Sequence, residues 1–331
     1  MAQPEPLTVE SPALGGVPDH VSELLPADSL RSVSSPATLR AEAMSESKLQ
    51  SAYDGSNILF RVLLMHGWGP LLNLGYFDLF SPFTFFSLPV AQRRLIRKSV
   101  QLLRLQRDET VLDVACGRGW STNYIASSQP VRRVVGVDFL ENHVRVCRTL
   151  YGNLPRVEYQ QGDATNLRFE DESFDAVVCI EAAFHFDRRK FISEAARVLR
   201  KGGRLVIVDF MWKTRPVPHE LNHPHADTVR SIWSWNDFDS VDEYRSHAAN
   251  ARFRIKSLYD WSRPVTATMH VLCHVMAAAG RNGIGRSLLS WVNQELRRLG
   301  QSDWRELREI VRAHGYVRNR ASYMAMTLIK D

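Results

Sequence analysis

Apolar positions along residues 88–210 follow two alternating periods. Strand-like runs fall at 111–115, 132–138, 157–161, 174–180 and 204–210, and the first, mostly apolar and β-branched, suits a strand buried on both faces. Between them, residues 120–127, 142–151 and 189–199 place apolar side chains three and four apart, as a helix does when one face packs on a sheet. Residues 88–105 do the same ahead of the first run. This alternation predicts a doubly wound, Rossmann-like α/β sheet with parallel strands. Gly202-Gly203 predicts the turn from a helix into the fifth strand.

The pattern loosens on both sides. Residues 1–45 are rich in Pro, Ser, Ala and Glu without a period and predict a disordered leader. A helix is expected from Ser45 or Ser47 toward Met65, opening an N-terminal helical cap over 46–104. After Phe210, residues 241–251 read as a helix, 253–261 as a strand and 266–299 as one or two helices. Residues 303–314 read as another helix and 322–329 as a last strand. The expectation is a seven-stranded domain over 105–331, with 212–250 and 265–315 as substrate-side insertions, the second helical and just before the last strand.

Composition narrows this only a little. With 331 residues at 44% hydrophobic, the chain can bury a full core as one large domain with insertions. The net charge of +6 comes from scattered groups such as Arg93-Arg94 and Arg188-Arg189-Lys190, which read as solvated helix faces. No run is dense enough for a nucleic-acid arm, so no nucleic-acid partner is expected. Cys116, Cys147, Cys179 and Cys273 form no C-x-x-C pair and read as free thiols of a reducing, cytoplasmic compartment. Residues 1–16 lack the basic start and apolar stretch of a secretory signal, and no segment reaches the ~20 apolar residues of a membrane span.

The candidate chemistry begins at Asp113, four residues before the Gly117-x-Gly119 turn. A strand, a tight glycine turn and a helix N-terminus make a nucleotide site. A dinucleotide site wants a third glycine where this chain has Thr122, and Asp113 would repel a phosphate while suiting a cationic amine. Asp138 ends the second strand, where a carboxylate can accept both hydroxyls of a ribose. Gln161-Gly162-Asp163-Ala164 follows the third strand, and the loop from Glu181 to Phe186, which carries His185, follows the fourth.

In order and spacing, these stretches and 199–205 resemble the motifs of class I S-adenosylmethionine (SAM) methyltransferases across residues 105–211. Within that family the chain is most like the small-molecule and lipid type: phthiotriol dimycocerosate O-methyltransferases, sugar and polyketide O-methyltransferases, and sterol C-methyltransferases. The resemblance implies SAM as cofactor, held by Asp113, Ala115, Gly117, Gly119, Asp138, Phe139, Asp163, Ala164 and Glu181. Leu74-Gly75-Tyr76-Phe77 resembles an upstream element whose tyrosine closes over cofactor or substrate, so Tyr76 joins that set. The implied acceptor is a lipophilic small molecule. O-methylation of a hydroxyl is the leading expectation, with His185 as general base. C-methylation and SAM binding without catalysis are the alternatives.

Two other chemistries are set aside. Glu181-Ala182-Ala183-Phe184 stands where base-flipping methyltransferases carry [DN]-P-P-[YF]. The carboxylate cluster of a metal-dependent catechol-type site is missing around Asp209, and His219-Glu220-Leu221-Asn222-His223 is bracketed too closely by Pro218 and Pro224 to form a zinc-binding helix. No metal is expected.

Residues 58–91 are heavily apolar and aromatic, and glycines and prolines break them too often for a spanning helix. Three readings stand: a structural cap, a lid over an apolar substrate, or a surface that docks on a membrane. The lid reading encloses the acceptor with Trp68 and Phe77 from this stretch and with Trp212, Trp233 and Trp235 from beyond the core. Oligomerisation is left open.

Overall fold

The computed structural model describes residues 47, 49–52, 58–63, 71–77, 88–235, 237–266, 284, 285, 287 and 298–331. The expected leader, Trp68, half of the 58–91 lid and most of the 265–315 insertion lie outside the described residues. The first elements are α1 (Ile58–Leu63) and α2 (Leu88–Leu103), followed by β1 (Thr110–Val114), α3 (Trp120–Ser128), β2 (Arg133–Asp138), α4 (Glu141–Tyr151) and β3 (Val157–Gln161). Next come β4 (Phe174–Ile180), a single 3-10 turn (Ala183–His185), α5 (Arg188–Val198) and β5 (Leu199–Trp212). Helices α6 (Pro218–Leu221), α7 (Pro224–Trp233) and α8 (Val241–Asn250) lead to β6 (Phe253–Asp260), α9 (Gln301–Arg320) and β7 (Ala321–Lys330).

The sheet has seven strands in the order β3-β2-β1-β4-β5-β7-β6. β1 to β5 pair in parallel, and β7 runs antiparallel between β5 and β6. The chain winds outward from β1 to β3 and then returns to place β4 on the other side of β1. That reversal opens a crevice at the strands' C-terminal ends, where open α/β sheets bind ligands.

Alternate residues of each central strand feed opposite layers, which explains why the strands read as unbroken apolar runs. Leu112, Val114, Val135, Val177 and Leu205 face one layer with Phe191 and Ile192 of α5. Val111, Val134, Ala176, Val178 and Val206 face the other, with Leu95, Ile96 and Val100 of α2 and Ile125 of α3. Each of the Val, Leu, Ile and Phe side chains among them contributes roughly 1.5–3 kcal/mol on removal from water.

Two sequence expectations are corrected. Gly202-Gly203 is no helix-to-strand turn: β5 already pairs Leu199 with Phe174, then slips register before Arg204 pairs with Ala176. Gly202, at φ +77, sits in the resulting bulge, where glycine carries the left-handed backbone without strain. The last helix runs on past His314 through Gly315 to Arg320, because its buried stripe of Trp304, Leu307, Ile310, Ala313 and Val317 continues at helical spacing. Tertiary packing of that stripe outweighs one glycine, whose helical penalty is about 1 kcal/mol. No helix among the described residues is long and apolar enough to cross a membrane.

Candidate active site

The glycine turn is built by left-handed backbone and by Asp138. Ala115, Gly117 and Gly119 all have positive φ, at +56, +57 and +83. A Cβ on Gly119 would stand 2.8 Å from Cys147 Sγ and 2.9 Å from Tyr159 Oη, so α4 and β3 exclude any side chain there. A Cβ on Gly117 would meet only Leu72 Cδ1, at 3.5 Å. Asp138 Oδ2 accepts the Gly117 N–H at 2.8 Å, while Oδ1 accepts the Leu140 N–H at 3.0 Å and lies 3.1 Å from His143 Nδ1. The carboxylate therefore splints the turn to the start of α4. Phe139 offers its carbonyl to Gln161 Nε2 at 3.1 Å, which joins the β2 and β3 ends.

Asp113 is 2% exposed and accepts the hydroxyls of Ser121 and Thr122 on Oδ2, at 2.6 and 2.7 Å. Burial pushes its carboxyl up to about 6, against the pull of those two hydroxyls. The position of Thr122 thus has its own explanation: its hydroxyl secures Asp113 rather than leaving room for a pyrophosphate.

Above the turn opens a cleft lined by Asp113, Ala115, Cys116, Gly117, Arg118, Trp120 and Ser121, with Ile96 and Ile180 on its walls. Leu71, Leu72 and Asn73 close one side. They belong to an irregular strap, residues 71–77, clamped to α2: Gln92 Nε2 donates to the carbonyls of Leu71 and Asn73 at 2.6 Å each, and the Tyr76 N–H donates to Ala91 at 2.8 Å. Tyr76 itself does not reach the cleft. Its ring packs edge-on against Trp261 at 5.5 Å with Lys98 Nζ 4.6 Å from its centre. Phe77 is 2% exposed and donates its N–H to Pro264, so it too packs rather than faces a ligand.

Past β4 the loop is held from several sides. Glu181, at φ +51, accepts the Leu74 N–H on both oxygens at 3.1 Å and the Tyr323 hydroxyl on Oε1 at 2.6 Å. Desolvation pushes its carboxyl up to about 8. His185 closes the 3-10 turn, and its Nδ1 lies 3.3 Å from the Ser234 carbonyl. A carbonyl only accepts, so the neutral ring carries its proton on Nδ1, and Nε2 is the acceptor. The residue is half-buried, and desolvation lowers the ring's pKa to about 4. Asp209, fully buried, accepts the Phe184 N–H at 3.2 Å and is pushed up to about 7 by desolvation. Arg188 binds the carbonyls of Phe186 and Asp237 and the Asp239 carboxylate at 2.7 Å, joining this loop to residues 237–239.

The remaining expected residues are scattered. Asp163 is exposed after β3, with Oδ1 taken by the N–H and hydroxyl of Thr165, and the side chain of Ala164 packs into the main core. Trp212 and Trp235, 2% and 3% exposed, build a separate core with Phe238, Ala313 and Val317. Trp233 donates Nε1–H to His314 Nε2 at 2.7 Å. All three tryptophans were expected at the acceptor, and instead they pack α7 and its flanks onto α9. The H-E-x-x-H string holds one short turn, α6, and His223 stacks on Tyr316 at 4.2 Å. Sequence reasoning missed Trp120 and Arg118 as cleft walls, and Asp209 and Tyr323 as supports, while 71–73 fall within the 58–91 stretch for which a lid is one reading. Trp120, the residue after Gly119, was the one with a local signal.

Known proteins share the sequence pattern and the fold. A family profile described as a methyltransferase domain matches residues 112–207. The 27-O-demethylrifamycin SV methyltransferase of Amycolatopsis mediterranei is 33% identical over 209 residues, 62% of this chain and 74% of that protein. A phthiotriol/phenolphthiotriol dimycocerosates methyltransferase of Mycobacterium ulcerans is 40% identical over 102 residues, but these are only 30% of this chain and 36% of that one. Among solved structures, the geranyl diphosphate C-methyltransferase of Streptomyces coelicolor, in complex with S-adenosyl-L-homocysteine, superposes with a TM-score of 0.61 over 87% of this chain and 98% of that one. At 16% identity that likeness speaks for the fold alone. The chain belongs to the class I SAM-dependent methyltransferases.

Proposed function

We propose that the chain transfers a methyl group from SAM to a hydroxyl oxygen of a lipophilic small molecule, with His185 as general base. The carrying observation is that His185 Nδ1 lies 3.3 Å from the Ser234 carbonyl; because a carbonyl only accepts, Nδ1 carries the proton and Nε2 is the atom that takes one. Burial holds the ring neutral, and a neutral ring can accept.

The cofactor fits the residues present. Gly117 leaves the cleft floor open, Asp113 lines the cleft as a carboxylate suited to an ammonium group, and Asp138 holds the Gly117 turn in place from beside it. The bound cofactor supplies an electrophilic methyl on a sulfonium. The chain's own task is alignment and exclusion of water, since in-line transfer gains most from positioning. Leu71, Leu72, Ile96, Trp120 and Ile180 give the cleft apolar walls, which help to exclude water from the bound cofactor. The Amycolatopsis relative, named for 27-O-demethylrifamycin SV, supports an oxygen acceptor.

The test is incubation of the protein with methyl-labelled SAM and a panel of lipophilic alcohols, phenols and alkenes, with carbon NMR of each product. An ether methyl on an alcohol or phenol is the expected result. A new carbon–carbon bond would replace the O-methyl reading with C-methylation, and no product from any member would leave the class of acceptor wrong.

A further inference from the structure

We propose that Glu181 is a positioning residue that anchors the strap of residues 71–77 over the glycine turn, acting on the cofactor only through Leu74. The proposal rests on the cleft being the cofactor site.

The strap is tied down by α2, by Pro264, whose carbonyl accepts the Phe77 N–H at 3.0 Å, and by Glu181. On the α2 side it is held by Gln92 through Leu71 and Asn73, and by Ala91 through Tyr76. Gly75, at φ +83, lies so close to that helix that a Cβ would stand 2.9 Å from Ala91 Cβ and 3.0 Å from the backbone of Ala91 and Gln92. On the sheet side the tie is Glu181. Its two oxygens receive the Leu74 N–H at 3.1 Å each, and Tyr323 adds its hydroxyl to Oε1 at 2.6 Å.

Tyr323 is itself fixed. It is 0% exposed, its ring packs edge-on against Phe210 at 5.1 Å, and its N–H donates to Ser262 Oγ at 2.8 Å. A rigid phenol on β7 therefore aims the carboxyl of β4's flanking residue at the strap. The left-handed backbone of Glu181 is strained for a residue with a Cβ, and local packing must hold it there. The adjoining Ile180 lines the cleft, as do Leu71, Leu72 and Asn73 on the strap. One carboxyl thus joins two walls of the same cleft.

Glu181 is not among the residues that line the cleft, whereas Leu71, Leu72 and Asn73 of the strap are. What Glu181 controls is whether Leu72 stays over Gly117. Loss of Glu181 leaves the Leu74 N–H and the Tyr323 hydroxyl without their acceptor, and the strap loses its sheet-side tie.

The experiment uses the full chain with Glu181→Ala, Glu181→Gln, Gly75→Ala and the double variant Glu181→Ala/Gly75→Ala. Amide hydrogen exchange over 71–77 is followed without ligand, and dissociation of S-adenosylhomocysteine is followed by stopped-flow fluorescence. Glu181→Ala should speed exchange at Leu74 and raise the dissociation rate on the order of 10-fold. Glu181→Gln, which keeps an acceptor oxygen, should recover most of both. Gly75→Ala, which pushes the strap off α2 without touching the carboxyl, should raise the dissociation rate as well. The double variant should fall clearly short of the product of the two single effects, because both act on one strap.

Faster dissociation in Glu181→Ala with unchanged exchange at Leu74 would overturn the proposal, since the carboxyl would then act on the ligand itself. Fully multiplicative effects in the double variant would overturn it too. If the wild-type chain bound no S-adenosylhomocysteine, the cofactor-site reading would fail instead, and exchange at Leu74 would still decide whether Glu181 anchors the strap.

Discussion

Asp209 Oδ2 accepts the backbone N–H of Phe184, the residue before His185, at 3.2 Å. The carboxyl comes from the end of β5 and the N–H from the turn after β4, so neighbouring strands jointly fix where the imidazole stands. Asp209→Ala removes that acceptor and frees the turn. Turnover should fall roughly 10- to 100-fold, the scale of a misplaced catalytic group, while S-adenosylhomocysteine affinity by calorimetry stays near wild type. A parallel loss of affinity would mean that Asp209 supports the whole cleft and not this turn.

His185→Ala should lower turnover by roughly 10²–10⁴ with cofactor binding intact. The pH profile gives a second readout. The ring's pKa is lowered from 6.5 to about 4, so it is neutral and able to accept a proton at all pH values above that. In the wild type, kcat/KM should therefore show no inflection near 6.5 from this group and should fall only as pH drops toward 4. An inflection near 6.5 that vanishes in His185→Ala would show that the ring is better solvated than its surroundings indicate.

Stability should fall as pH rises through neutrality. Burial raises Asp113 from 3.8 to about 6, Asp209 from 3.8 to about 7, and Glu181 from 4.5 to about 8. Between each pair of values the unfolded chain has lost a proton that the folded chain keeps, so raising pH favours unfolding. His185 acts oppositely: between 4 and 6.5 the unfolded ring is protonated and the folded ring is not, so stability gains with pH there. Above 6.5 only the carboxyls remain. Urea unfolding from pH 6.5 to 8 should show a decline that Glu181→Gln makes shallower. An equally steep decline in that variant would remove Glu181 as its source.

How much of this was legible in the sequence depends on the range of the interaction. The central strands announced themselves because both faces are buried, and Asp113, Gly117, Gly119 and Asp138 lie in short segments around the strand ends. Boundaries set by packing were misread at Gly202-Gly203 and at Gly315, where the surrounding sheet or helix continues through a residue that locally favours a break. Partners far apart in the chain leave no local period to read. Leu74 and Glu181 are 107 residues apart, and Glu181 and Tyr323 are 142 apart. Tyr76 matched a short motif and was therefore placed over the cleft, but Trp261 and Lys98 hold its ring elsewhere.

Asp138→Ala should weaken S-adenosylhomocysteine binding on the order of 10-fold or more, measured by calorimetry. Here the geometry adds a consequence. The Gly117 and Leu140 N–H groups lose their acceptor, so the ligand-free protein should also melt at lower temperature. Asp138→Asn keeps an acceptor oxygen and should recover part of the melting temperature. Unchanged affinity in both variants would reject Asp138 as a cofactor residue.

The last expectation concerns Trp212 and Trp235. Their rings lie 6.0 Å apart in an edge-on pair, and Trp235 stacks on Phe238 at 4.1 Å. Trp212 also donates Nε1–H to Asp237 at 2.9 Å, which secures the segment that Arg188 grips. Both rings are almost fully buried against α9, so truncation leaves a cavity that the surrounding helices can only partly refill. Trp212→Ala and Trp235→Ala should each destabilise the fold by about 3–5 kcal/mol, read by urea unfolding. If these residues only pack, conservative Trp→Phe variants should keep the wild-type KM for the acceptor while losing part of that stability. A raised KM with unchanged stability would return the two tryptophans to the substrate pocket.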